Sequence, residues 1–196
     1  MQSIKLSDVS SKNIVKFLKE IFEQCGHLEY LGEQVTMSEH MRQSAFLAEK
    51  KGYKEDIVVA ALLHDIGHFV SELGSFKIND EYDRLHEEAG AHFLEKYFPT
   101  IISDCVRFHV AAKRYLCAIK PEYLNTLSEA SIHSLKLQGG PMNKIEVKKF
   151  NQNVNLDEII KVRYLDDAGK LVGEDTPNFD YFAPMILRLV NSHNNN

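Results

Sequence analysis

The sequence predicts an all-α single domain, and three features of the 196-residue chain support this class. Apolar residues recur every three or four positions along most of the chain, which is the period of an amphipathic helix. The strict alternation of apolar and polar residues that marks a half-buried strand is absent, and so is any internal repeat. We therefore expect one domain over residues 1–196, with its core at about 11–192 and a disordered tail at 193–196.

The first two helices are predicted at 10–26 and 38–50. Ser10 or Ser11 can cap the first helix, apolar residues follow at helical spacing, and Gly26 is expected to end it. The second helix carries small apolar residues on one face.

A central buried helix is predicted at 55–66, because its run IVVAALL is apolar on every side. Gly67 is expected to end this helix. Residues 70–82 contain Gly, Ser, Asn and Asp without a clear period, so a loop is predicted there.

Six further helices complete the prediction. Gly139-Gly140-Pro141 and the turn-rich stretch GEDTPN separate some of them, since glycine and proline disfavour the continuation of a helix. The predicted ranges are 83–97, 100–118, 121–137, 144–151, 156–168 and 179–192.

Composition excludes several classes of protein. The hydrophobic content of 44% and charged content of 26% are ordinary for a globular protein. No apolar run approaches the roughly 20 residues that span a bilayer, and the N-terminus lacks the apolar core of a signal peptide. We therefore expect a cytoplasmic protein without a membrane partner. A net charge of −5 argues against nucleic acid as a partner, and three widely spaced cysteines argue against a disulfide framework.

Histidine and aspartate residues supply six nitrogen or oxygen donors from five predicted helices. In LLHDIGHF, for example, two of them directly follow an apolar run, where an unpaired polar group would be costly. A helical bundle can assemble metal ligands from facing helices, and donors of this type favour Fe, Mn or similar ions. The six residues are His40, His64, Asp65, His86, His109 and Asp166.

The adjacent pair His64-Asp65 suggests a bridge between two ions. Neighbouring residues point about 100° apart on a helix, so this pair cannot chelate one ion as two histidines one turn apart do. The two carboxylate oxygens of Asp65 could instead contact two ions while His64 binds one of them. A zincin-like pair of His64 and His68 lacks the glutamate which that motif requires after its first histidine.

The order of the six donors resembles the two-metal form of the HD-domain superfamily, which is a helical bundle with a central buried dimetal site. The resemblance implies that His40, His64, Asp65 and Asp166 bind one ion. It implies that His86, His109 and the bridging Asp65 bind the other. Most members are phosphohydrolases that use a metal-activated water, whereas a smaller branch uses a mixed-valent diiron site to activate dioxygen.

Two segments resemble the phosphonate-cleaving HD oxygenases of the PhnZ and TmpB type. They are EYLGEQVTMSEH (29–40) and the stretch 109–142, which contains HVAAKRYL, PEY, LSEAS and QGG. The similarity extends over about 29–168. It implies two iron ions in an Fe(II)/Fe(III) state, O₂ as co-substrate and a small-molecule phosphonate as partner. Such enzymes convert a 1-hydroxy-2-aminoethylphosphonate, primary or N-methylated, to phosphate and glycine or glycine betaine.

The same resemblance implies roles for further residues. Tyr30 and Glu33 match the pair that caps the oxygen-binding iron until substrate arrives. Leu31, Gln34 and Leu165 depart from the pattern and could line the amine pocket. The positions that match phosphonate-binding groups are His68, Lys113, Ser131, Gln138 and Arg163.

Helical register independently favours a phosphonate-binding role for two of these residues, Lys113 and Arg163. Lys113 follows His109 by four residues and Arg163 precedes Asp166 by three, so each shares the helix face of a predicted ligand. A phosphonate carries nearly two negative charges and needs charge-assisted contacts in an acidic protein. A solvated surface position is the ordinary alternative for Lys113.

Three functions remain open from the sequence. The iron-dependent C–P-cleaving dioxygenase is the first, and a dimetal phosphohydrolase acting on nucleotides or dinucleoside polyphosphates is the second. The third is a non-catalytic HD fold that serves as a binding or regulatory module, which the loss of a ligand would favour. None of the six donors is missing. The expected oligomeric state is a monomer.

Overall fold

The structure, a computed structural model, describes residues 5–30, 32–71 and 83–195. Within these ranges the chain is helical and contains no β-strand, which confirms the all-α class. Two short 3₁₀ helices lie at Leu6–Asp8 and Pro121–Thr126. The α-helices are α1 (Ile14–Gln24), α2 (Met37–Lys50), α3 (Glu55–Leu63), α4 (Gly67–Val70), α5 (His86–Leu94), α6 (Thr100–Ile119), α7 (Glu129–Leu137), α8 (Lys144–Phe150), α9 (Leu156–Ala168) and α10 (Phe179–Asn194).

Helix α3 is the centre of the bundle. Every residue from Ile57 to Leu63 is buried, and α3 packs against α2, α6, α9 and α10. Helix α5 packs on α6 and α4. The C-terminal end of α3 therefore lies among the helices that carry the predicted donors. No helix in the described ranges combines the length and the apolar character needed to cross a membrane.

Several helix boundaries differ from the prediction. Helix α1 begins at Ile14 after Asn13, so neither Ser10 nor Ser11 caps it, and α5 (His86–Leu94) is shorter than the predicted 83–97. Helix α3 ends at Leu63, and Gly67 begins α4 instead of stopping the preceding helix. The single helix predicted at 121–137 is two helices, because the Ser128 side chain caps a new start at α7 by accepting a hydrogen bond from Ser131 N. Helix α10 continues to Asn194, into the segment predicted as a tail. Most of the predicted loop at 70–82 lies outside the described residues.

Gly67 permits a close approach between α4 and α5. A Cβ atom at this position would lie 1.7 Å from the His86 carbonyl oxygen and 2.9 Å from the Gly90 nitrogen. Both neighbours are backbone atoms, so a side chain could be accommodated only by moving α5. The glycine that the sequence suggested as a helix stop is required for packing.

We expect Gly67→Ala to destabilise the protein and to displace His86 with α5. Overpacking costs about 1–3 kcal/mol and more when backbone must move. Thermal unfolding and metal content measure the two effects. Gln24→Ala is the control, because Gln24 is an exposed residue at the end of α1. Unchanged unfolding temperature and metal content in Gly67→Ala would contradict the close approach.

Candidate active site

The start of α2 is fixed by a capping box. Thr36 Oγ1 accepts a hydrogen bond from Glu39 N at 3.2 Å, and the Glu39 carboxylate accepts one from Thr36 N at 2.7 Å. His40 follows one turn inside this helix and is completely buried. The cap therefore determines where the first predicted donor lies.

His40, His64 and Asp166 form the first donor cluster. The His40 and His64 Nε2 atoms lie 3.0 Å apart, and Asp166 Oδ1 lies 3.4 Å from His40 Nε2 and 3.8 Å from His64 Nε2. His40 Nδ1 donates to the Gly169 carbonyl at 2.9 Å, and His64 Nδ1 donates to the Ala61 carbonyl at 2.8 Å. A neutral ring that donates from Nδ1 has a lone pair at Nε2, so each of these rings can offer its Nε2 atom to a metal ion.

His86 and His109 form the second pair. Their Nε2 atoms lie 3.2 Å apart, and His109 Nδ1 donates to the Val106 carbonyl at 2.7 Å. His86 is the first residue of α5 and follows Leu85, whose φ of +51° is unusual for a residue with a side chain. Glu87 Oε2 lies 3.5 Å from His86 Nδ1, so this ring faces a carboxylate where the others face a carbonyl.

Asp65 joins the two groups of donors. Its Oδ2 atom lies 3.3 Å from His64 Nε2 and 3.6 Å from His40 Nε2. Its Oδ1 atom lies 3.3 Å from His86 Nε2 and 3.4 Å from His109 Nε2. Each oxygen of one carboxylate thus faces a different pair of histidines.

The clusters contain acceptors without matching donors. Asp65 Oδ2 and Asp166 Oδ1 are buried and have no hydrogen-bond partner within the described part of the chain. Lone pairs and carboxylate oxygens that converge in a buried site repel one another and are costly to leave unsatisfied. A cation in each cluster removes this conflict, so the residues fit two metal ions with nitrogen and oxygen ligands.

The two histidines of each pair differ in their pKa. Burial lowers the pKa of His109 to about 4 and also lowers the pKa of His40. For His64 burial acts in the same direction, but Asp65 and Asp166 outweigh it and raise the pKa to about 9. Burial likewise opposes protonation of His86, but Asp65 and Glu87 outweigh it and raise its pKa. Each pair therefore contains one histidine that favours a proton, which a metal ion bound there would displace.

His68 lies beside the second pair. Its ring stacks on His86 with centroids 4.1 Å apart, and its Nε2 atom lies 3.9 Å from Asp65 Oδ1. Asp65, His68 and His86 together could hold an ion, so His68 is a possible additional ligand. The residue also lines the neighbouring cavity, where the sequence predicted a phosphonate contact.

Tyr30 and Glu33 lie on a tight turn before α2. Tyr30 N donates to Val35 O at 3.0 Å, and Glu33 N donates to Tyr30 O at 2.7 Å. The buried Tyr30 ring stacks on His40 with centroids 3.9 Å apart, which places it against the first cluster. The Glu33 carboxylate accepts a hydrogen bond from Ser128 Oγ at 2.5 Å and lies 3.3 Å from Lys170 Nζ.

A cavity opens to solvent beside the two clusters. Each residue that the sequence assigned to capping or to phosphonate binding lies on its wall. Sequence reasoning missed three further polar lining residues, which are Asp83, Ser134 and Lys170. The lining residues are Tyr30, Glu33, Asp65, His68, Asp83, His86, His109, Val110, Lys113, Ala130, Ser131, Ser134, Gln138, Arg163, Asp166 and Lys170.

Two of the three residues suggested for the amine pocket do not line the cavity. Gln34 is exposed, Leu165 is buried in the hydrophobic core, and neither lines the cavity. Leu31 lies outside the described residues.

Two buried basic side chains, Arg163 and Lys113, line the cavity, and they differ in their charged neighbours. Arg163 Nη1 lies 2.6 Å from Asp166 Oδ2, and Arg163 also pairs with Asp167. Lys113 is 3% exposed and donates to Ser134 Oγ at 2.7 Å, with no carboxylate of the described residues within 4 Å of its Nζ. Burial, reinforced by Arg163 and Lys170, lowers the pKa of Lys113 to about 7. Lys113 is thus a buried amine that has no charged partner among the described residues, and an anion in the cavity would supply one.

Comparison with known proteins identifies relatives along the whole chain. The model of the HD domain matches residues 37–136. A 1-hydroxy-2-(trimethylamino)ethylphosphonate dioxygenase (glycine-betaine-forming) from Leisingera caerulea is 60% identical over 193 residues, 98% of each chain. A hydroxymethylphosphonate dioxygenase from Gimesia maris is 37% identical over 172 residues, 86% of this chain and 84% of the relative. An uncharacterized protein of Acanthamoeba polyphaga mimivirus is 35% identical over 189 residues, 93% of this chain and 84% of the relative.

Proposed function

Because the chain belongs to the HD-domain family, we propose that it is an iron-dependent dioxygenase that cleaves the C–P bond of a hydroxylated aminoethylphosphonate. The products are phosphate and an amino acid. We favour the trimethylated substrate, which gives glycine betaine, over the primary amine. The reason is that the relative from Leisingera caerulea is named for the reaction of the trimethylated compound.

One observation carries this proposal. A single carboxylate, Asp65, faces two histidine pairs. Asp65, Asp166 and the second pair line a cavity in which the buried Lys113 has no charged partner among the described residues. The arrangement can hold two metal ions next to a site for an anion. A substrate with adjacent hydroxyl and phosphonate groups fits such a site because it presents oxygen ligands to a metal and charge to the cations.

We propose a ligand set for each ion. His40, His64, Asp166 and one Asp65 oxygen hold the first iron, and His86, His109 and the other Asp65 oxygen hold the second. When bound, the pair, in its Fe(II)/Fe(III) state, would supply redox chemistry towards O₂ and Lewis-acid sites for substrate oxygens.

The chain's own residues orient the substrate. Lys113 and Arg163 bind the phosphonate, and Ser131, Gln138 and His68 add polar contacts from the same cavity wall. We propose that Tyr30 and Glu33 shield the metal centre before substrate binds, which agrees with the stacking of Tyr30 on His40. Without metal ions, burial and the nearby carboxylates Asp166 and Asp65 raise the pKa of Tyr30 well above its ordinary value.

The reaction consumes O₂ in a fixed ratio. The substrate carbon becomes a carboxylate and the phosphonate becomes phosphate, and these two changes together add two oxygen atoms without an external reductant. We therefore expect about one O₂ consumed per phosphate released, as for oxygen chemistry at non-haem iron. An oxygen electrode run beside a phosphate assay, with 1-hydroxy-2-(trimethylamino)ethylphosphonate in air and under argon, measures this ratio.

Two controls make the result decisive. The primary-amine substrate tests the preference for the trimethylated group. A nucleotide and a dinucleoside polyphosphate test the alternative reaction. Equal phosphate release under argon, or rapid hydrolysis of the phosphoesters, would instead identify a dimetal phosphohydrolase.

A further inference from the structure

Lys170 faces the cavity from the segment that follows α9. The helix ends at Ala168, and the Gly169 carbonyl accepts the hydrogen bond from His40. The Lys170 Nζ atom lies 3.1 Å from Ser131 Oγ, 3.5 Å from Ser128 Oγ and 3.3 Å from Glu33 Oε1. Its side chain is only 12% exposed. This ammonium group is therefore held inside the site.

Lys170 and Lys113 contact the same face of α7. Lys113 donates to Ser134, and Lys170 donates to Ser131, one helical turn earlier. The cavity between them is lined by both ammonium groups and by Arg163. Asp166 and Asp167 neutralise Arg163, whereas Lys170 forms an ion pair with Glu33 alone among the described residues.

We propose that Lys170 is a third phosphonate-binding cation and that Glu33 is its counter-ion in the substrate-free enzyme. The inference rests on the proposed function, because it takes a phosphonate as the ligand. A phosphonate carries nearly twice the charge of the Glu33 carboxylate and can accept bonds from Lys170 and Ser131 together. The incoming anion therefore replaces Glu33 at Lys170.

This exchange links substrate binding to the turn that carries Tyr30. Ser128 and Lys170 are the side chains that hold Glu33 against α7. When the phosphonate binds Lys170, Glu33 loses its ion pair and keeps only the hydrogen bond from Ser128. We therefore expect the turn that carries Tyr30 and Glu33 to move when the ligand binds. The substrate would thus loosen the same segment whose tyrosine covers His40.

Opposite effects of two substitutions test the proposal. Inorganic phosphate is titrated into the metal-loaded enzyme under argon, and its affinity is measured by calorimetry. Lys170→Met should weaken binding about tenfold or more, the range for a charge-assisted hydrogen bond. Glu33→Gln should tighten binding roughly two- to fivefold, because it removes the competing carboxylate. Lys161→Met is the matched control, since Lys161 pairs with Glu158 away from the cavity.

A double variant separates this exchange from any action of Glu33 at the metals. If Glu33 acts through Lys170, Glu33→Gln has no effect on phosphate affinity once Lys170→Met is present. Persistent tightening in the double variant, or wild-type affinity in Lys170→Met, would overturn the proposal. Lys170→Arg should retain most of the affinity. If Lys170→Met does not fold, Lys170→Gln decides the question, because it also removes the charge but keeps a polar end group, and wild-type affinity in this variant would overturn the proposal.

Two further outcomes distinguish an error in the Lys170 assignment from an error in the proposed anion site. A phosphate site that exists but excludes Lys170 gives weaker binding in Lys113→Met and unchanged binding in Lys170→Met. If the wild-type enzyme binds no phosphate, both the anion site and the role of Lys170 are wrong.

Discussion

Asp65→Asn is expected to abolish phosphate release and to lower the metal content of the protein. The amide keeps the shape of the side chain but loses its charge and one of its two acceptor oxygens. It can no longer face His64 with one oxygen and His86 with the other. Removal of a group that only hydrogen-bonds to a metal ligand costs about 10–100-fold in metal affinity or activity. Removal of the charge of this shared ligand itself should therefore reduce metal affinity and activity by more than roughly 100-fold.

Metal analysis and the phosphate assay measure the two effects in the same preparation. Asp157→Asn is the control, because Asp157 is exposed in the first turn of α9. Thermal unfolding of both variants without metal separates loss of the ligand from loss of the fold. Full metal occupancy with normal turnover in Asp65→Asn would exclude a shared carboxylate between two ions.

The six donors could be named from the sequence because each lies on a predicted helix or at its end, but their division between two ions came from the resemblance to the HD superfamily. His109 lies within the long amphipathic helix α6, and Asp166 lies near the end of α9. The His64-Asp65 pair follows a helix that is apolar on every side, which predicted its central place. The resemblance also assigned Lys113 and Arg163, helical register supported both assignments, and both residues line the cavity.

Lys170 could not be found in this way because its position depends on contacts distant in sequence. It follows Asp166 by four residues, the spacing that identified Lys113, but α9 ends between them. The turn at Gly169 packs against α2, where a Cβ atom would lie 2.3 Å from Ser44 Oγ. That long-range contact directs Lys170 into the cavity, and no local pattern encodes it.

Gly67 was misinterpreted for a related reason. Glycine ends many helices, so the local rule predicted a stop. The structure shows a requirement for space imposed by His86 and Gly90 on α5, which local sequence cannot reveal. The amine-pocket suggestion failed because Gln34 and Leu165 were chosen by their departure from a family pattern and not by geometry.

Lys113→Met is expected to weaken phosphonate binding while leaving the metal content unchanged. Hydrogen bonds to charged groups contribute about 1.5–3 kcal/mol, which corresponds to roughly 10–150-fold in affinity. Arg163 is a less selective target, because it also pairs with Asp166 and Asp167. Binding of 1-hydroxy-2-(trimethylamino)ethylphosphonate under argon, measured beside metal analysis, tests this expectation. Unchanged affinity would place the anion elsewhere.

The same lysine should make binding depend on pH near neutrality. Its pKa of about 7 in the free protein results from burial and from Arg163 and Lys170, which outweigh the opposite effects of Asp166 and Asp167. Cations in the neighbouring clusters would lower it further. Only the protonated amine attracts the phosphonate, so binding raises this pKa. The contribution of Lys113 is therefore complete below the free-state pKa and falls by up to about tenfold per pH unit above it.

Comparison with Lys113→Arg isolates this effect from the ligand's own ionisation, which is common to both proteins. The guanidinium remains charged over the accessible range, so the decline in affinity above pH 7 should be much smaller in this variant. Affinities measured from pH 6 to pH 9 under argon give the two curves. Parallel curves for wild type and Lys113→Arg would show that Lys113 is already fully charged in the free enzyme, and that neighbouring groups compensate for its burial.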